Sequence, residues 1–131
     1  MNIYQSELYS FDYSPVNDLL RFIWTEKTAN MTDDDFKDAL SRYAGYAEKY
    51  RTKRLLVDLR HFKHAMTDEL GVWRDTTITP RYNNAGVQKF AYILPEGVPA
   101  PPPDDAPHGH DHFVTRFFDD PAQAEAWLLQ V

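Results

Sequence analysis

Hydrophobic and polar positions along this 131-residue chain follow two periods, and the period changes mark its elements. Residues 2–13 read as a strand, because Tyr9, Phe11 and Tyr13 alternate with Ser10 and Asp12. Ser14-Pro15-Val16-Asn17 supplies turn chemistry, and Leu19–Trp24 returns as the second arm of a hairpin. That arm is apolar on both faces except at Arg21, which places it inside a sheet. The period then becomes helical. Phe36, Ala39, Leu40, Tyr43, Ala44, Ala47 and Tyr50 form one stripe. Thr32 stands at its N-cap, Asp33, Asp34 and Asp35 fill the first turn, and Met31 and Phe36 occupy the positions of a hydrophobic staple. Gly45 interrupts the stripe at a cost of roughly 1 kcal/mol against Ala, which suits a close approach to the sheet.

Arg54 to Leu59 is the next strand, and its Leu55-Leu56-Val57 run is that of a strand covered on both faces. A helix starts after Thr67 and carries Leu70, Val72 and Trp73. Pro80 is placed to kink it and Gly86 to end it. Val87 to Leu94 and Phe113 to Phe118 are further strands. Asp120 and Pro121 then open a last helix with Ala124, Trp127, Leu128 and Val131 on its buried stripe. Between the last two strands a proline-rich stretch from Pro95 to His112 excludes both helix and strand, and polyproline II loop is expected there. The order is ββαβαβ(loop)βα, a single α/β domain over residues 1–131. Its mixed sheet has an N-terminal β-hairpin and later strands joined by right-handed crossovers.

Composition narrows the function classes. The chain has no cysteine, so disulfides and thiolate metal sites are excluded. Fourteen Lys and Arg against twenty Asp and Glu leave a net charge of -6, which argues against a broad nucleic-acid surface. The one basic cluster, Lys49 to Arg54, lies at a helix end where cations complement the dipole. No apolar stretch reaches membrane-spanning length and no leader is read at the start, so a cytoplasmic protein is expected. An aromatic content of 15% favours a tightly packed core, and a homodimer through an aromatic face is plausible.

Four groups of residues carry candidate chemistry. Thr67, followed by Asp68, stands at a helix start, where a phosphate would gain backbone N–H partners and a favourable dipole; the same Thr also serves simply as an N-cap. Asp58 and Arg60 end a strand at the edge where open α/β sheets bind ligands. Alternation puts them on one face, to pair with each other or to hold a polar ligand. His61 and His64 follow in the loop, without a nucleophile matched to them. His108, His110 and His112 surround Asp111, a weak set for Zn, Ni or Cu because a proline loop supplies little rigidity. No cofactor is expected. A Gly-rich phosphate loop, a nucleophile elbow and paired catalytic carboxylates are all missing from the sequence, so no enzyme is expected.

The segment Leu55-Leu-Val-Asp58-Leu59 and the later Leu70-Gly71-Val72 resemble the strand and helix start of the STAS domain. The whole chain is similar to the small bacterial SpoIIAA-like (STAS/SEC14-like) proteins. The shared features are Trp24, Met31-Thr32-Asp33, Asp58-x-Arg60 and the Phe117-Phe118-Asp119-Asp120 to Trp127-Leu128 ending. The resemblance implies a SpoIIAA-like fold and places Thr67 on the family's phosphoacceptor serine. It also implies a non-enzymatic regulatory module that binds a protein partner, or alternatively a binder of a small apolar ligand or lipid. The chain departs from the family at Met66, Asp68 and Glu69, and the last two repel an incoming phosphate.

Overall fold

The computed structural model describes residues 1–103, 106–109 and 111–130. Six strands form one sheet in strict sequence order: β1 (Asn2–Gln5), β2 (Tyr9–Ser14), β3 (Leu19–Trp24), β4 (Arg54–Asp58), β5 (Lys89–Ile93) and β6 (Val114–Phe118). The first three pair antiparallel and the last three join in parallel, so the sheet is mixed. The single strand expected over residues 2–13 is two. Ser6 Oγ accepts from the backbone of Leu8 and Tyr9 and turns the chain, and the Ser6 N–H donates to the Tyr9 carbonyl at 2.9 Å. The hairpin is therefore the second half of a three-strand meander.

Helix α1 (Asp33–Tyr50) joins β3 to β4, and Thr32 caps it in a full capping box with Asp35. A short 3-10 turn over Glu26–Asn30 precedes it. The next connection is continuous but irregular. α2 (Asp68–Trp73) runs into a π-helical stretch (Arg74–Ile78) and then α3 (Thr79–Ala85). The expected kink at Pro80 takes this form for a physical reason. Pro80 has no N–H for the Thr76 carbonyl and its ring would press on that turn, so the helix widens, and the Thr79 N–H reaches back to the Arg74 carbonyl. Gly86 ends the helix at φ 92, the left-handed conformation that glycine adopts without strain. After β6, α4 (Pro121–Leu128) starts on its Asp120 cap.

Strand alternation divides the core. Phe11, Leu20, Phe22, Trp24, Leu55 and Phe90 face α1 and α3 in the larger cluster. Leu19, Leu56, Ala91 and Ile93 face Ala124, Trp127 and Leu128 of α4 on the other side. β4 is thus covered on both faces, as its apolar run requires. Arg21, the one charge of β3, pairs with Asp12 at 3.0 Å and with Glu125 of α4. The basic cluster is structural where it ends: Arg54 Nε donates to the Leu128 carbonyl at 2.7 Å and fastens the end of α4. Val131, expected on the α4 stripe, lies outside the described residues.

Gly45 corrects one expectation. It does not bring α1 close to the sheet; a methyl group added there would meet the Arg81 guanidinium at 3.7 Å, an ordinary contact. Gly45→Ala is therefore expected to stabilise the fold by about 0.5–1 kcal/mol in urea denaturation. Destabilisation by that variant would mean that α1 and α3 sit closer than described.

Candidate functional site

Among the described residues, the β5–β6 connection is the one parallel crossover that contains no helix. No helix or strand occupies the described residues between Pro95 and His112. The inner face of β6, Thr115 and Phe117, consequently has no helix above it. The chain instead leaves a crevice of about 510 Å³ between α3, the π-helical stretch and the returning loop. That volume falls within the usual range for small-molecule sites.

The floor is aromatic. Tyr92 stacks on Phe90 at 4.6 Å and on its cross-strand partner Phe117 at 5.3 Å. Tyr82 leans from α3 onto Phe90 and Phe113. The wall is polar. Arg74 and Asp75 come from the π-helical stretch, and His108 and Asp111 from the loop. Asn83 anchors that loop by accepting the His112 N–H at 2.8 Å. π-helical turns inside helices are frequent at functional sites, because they redirect side chains that a regular helix would aim elsewhere.

Electrostatics tie the wall to the floor. Burial pushes the Tyr82 phenol well above its ordinary value and raises that of Tyr92. Arg74, which lines the same crevice, pulls on both phenols in the opposite direction. Burial works against the charge of Arg74 itself, but Tyr92, Asp75 and Tyr82 hold its pKa above the usual arginine value. Its Nε donates to Asp75 at 3.2 Å.

The residues singled out from sequence lie elsewhere. Asp58 is buried at the end of β4 and binds the Arg60 guanidinium through both oxygens, at 2.7 to 3.1 Å. That hydrogen bond holds Arg60 above its ordinary pKa, with Asp120 adding to the effect. Of their two sequence readings, the structure shows the mutual ion pair. Thr67 caps α2 by accepting the Leu70 N–H at 3.2 Å, and Asp68 is exposed beside it. Among the described residues, no hydrogen bond or ion pair joins Thr67 or Asp68 to Asp58 or Arg60. His61 and His64 are drawn to separate acids, Glu26 at 3.6 Å and Asp33 at 2.8 Å. His110 lies outside the described residues, and among those described no three metal-ligating side chains converge.

No family model, curated protein or solved structure matches this chain. Among the described residues, no helix is long and apolar enough to cross a membrane.

Sequence reasoning missed Arg74, Tyr82 and Tyr92. Two signals pointed to them: a tyrosine inside the apolar run of β5, and a last inner strand face, Thr115 and Phe117, with no helix before it to cover it. It also missed Thr28. This fully buried hydroxyl accepts the Lys63 N–H at 2.8 Å and donates to the Thr25 carbonyl, so it holds the loop that follows β4.

Proposed function

We propose that this protein is a non-enzymatic binding module that takes a small, largely apolar molecule into the crevice beside β6. The observation that carries this reading is the stacked floor of Phe90, Tyr92 and Phe117, left open where a crossover helix would otherwise pack. Aromatic floors with a few converging polar groups are the usual chemistry of small-molecule sites. The likeness to the STAS/SEC14-like family supports it, since an apolar ligand or lipid is one of the two functions that likeness implies.

A crevice-filling variant tests it. Thr115→Trp should keep the fold and occupy the space. Naphthylmethanol at a hundred times its dissociation constant should stabilise the natural protein by roughly 2.7 kcal/mol and the variant by nothing measurable. An equal shift in Tm for both proteins would place the binding elsewhere.

A second reading has its own support. Thr67 is exposed, and the apolar side chains of Met66 and Val72 near it are 43% and 61% exposed. Such a rim suits a regulatory contact with a protein partner, switched by phosphate at Thr67. The measurement is phosphate mapping on protein isolated from its host, with partner capture compared against Thr67→Glu. An unmodified Thr67 and capture unchanged by the substitution would remove this reading.

A further inference from the structure

We infer that the molecule taken by the crevice is an aromatic carboxylate, with its ring on the Phe90–Tyr92–Phe117 floor and its carboxylate held by Arg74, Tyr82 and Tyr92. The inference rests on the crevice reading above and gives it a chemical class.

The polar groups around the crevice set the argument. Arg74 uses only its Nε, on Asp75; among the described residues neither terminal nitrogen of the guanidinium has a hydrogen-bond partner. Tyr82 is 4% exposed and Tyr92 is half-buried, and neither hydroxyl has a hydrogen-bond partner among the described residues. Neither hydroxyl is sealed away from the crevice that both tyrosines line, so each is free to donate to a molecule held there. All these groups can donate, and a guanidinium can do nothing else. What is missing is an acceptor. The planar fork of an arginine fits the two oxygens of a carboxylate better than any single acceptor.

The acids nearby do not reverse this. Asp75 is 66% exposed and spends its charge on the Nε edge of Arg74, away from the terminal nitrogens. Asp111 sits in the loop wall, and its charge raises the Tyr92 pKa. Together these two carboxylates make a cationic ligand the competing occupant, and the test must separate the two charges.

Three probes with one ring system do so: naphthoate, naphthylmethanol and naphthylmethylammonium. They are titrated by calorimetry into the full chain, with amide NMR to locate the site. Naphthoate should bind about tenfold or more tighter than the alcohol, as expected of charge-assisted bonds, and should shift the amides of β5, β6 and α3. Arg74→Met should erase that preference, bringing naphthoate down to the affinity of the alcohol. The isosteric pair Tyr82→Phe with Tyr92→Phe should weaken naphthoate several-fold. If the ammonium binds tighter, or if Arg74→Met leaves the preference intact, the carboxylate assignment is overturned. Alcohol binding in the crevice without any preference for the acid overturns the assignment and leaves the crevice reading standing. If none of the probes shifts the crevice amides, both fall.

Discussion

Raising the pH from 10 to about 11 is expected to remove a large part of this protein's stability. Four phenols carry the effect. Burial pushes Tyr9 up to about 12, Tyr43 and Tyr82 well above the ordinary value of 10.0, and Tyr92 upward as well. Below pH 10 these groups are protonated whether the chain is folded or not, and their contribution to stability is complete. Above it the unfolded chain loses protons that the native state retains. Stability then falls by roughly 1.4 kcal/mol per pH unit for each phenol, and the loss continues until the folded pKa is passed. Over the first unit, where the unfolded phenols are still only partly ionised, the four together remove at most about 4 kcal/mol, against a total of about 5–15 kcal/mol for an ordinary domain. Tyr92, half-open to the crevice, contributes least. Tyr43 is the most secure member, since its hydroxyl is fully buried and donates to the Leu20 carbonyl at 2.6 Å. Tyrosinate absorbance followed together with circular dichroism should show some of the eight tyrosines ionising early and the rest only as the fold is lost. Smooth ionisation of all eight near pH 10 in a chain that stays folded would contradict the burial described here.

Phe22→Ala should cost about 4 kcal/mol in urea denaturation, with little change in the slope. Phe22 is fully buried and central to an aromatic cluster, with ring centroids of Trp24, Phe11, Tyr43 and Tyr9 at 4.4, 4.9, 4.9 and 5.3 Å. Truncation removes the transfer energy of the ring and leaves a cavity that this mutually braced group cannot close. The neighbouring Ile23 points to the other face of β3 and is half-buried. Ile23→Ala should therefore cost only about 1 kcal/mol. Equal costs at the two positions would contradict the division of the core between the two faces.

What was legible in the sequence was local. The capping box of Thr32 and Asp35, the turn between β2 and β3, and the two-sided run of β4 each lie within a few residues, and the structure has all three. Asp58 and Arg60 were placed on one face by alternation alone, and they pair. The break at Ser6 was missed because the apolar pattern continues across it, while the turn depends on a single serine hydroxyl. The crevice was beyond reach for a different reason. It is made by the lack of a helix over β6 and by a π-helical stretch that answers to Pro80 further along the chain. Neither leaves a periodic mark on Arg74, Tyr82 or Tyr92. Their convergence depends on strand order and on where the proline loop returns, which are properties of the assembled sheet.

Native mass spectrometry of the protein isolated from its own host, beside Thr115→Trp prepared in the same way, tests the central claim most directly. The account predicts a noncovalent adduct on the natural protein that is lost on denaturation and is absent from the crevice-filled variant. A natural protein that carries no adduct, or an adduct retained equally by Thr115→Trp, would contradict it.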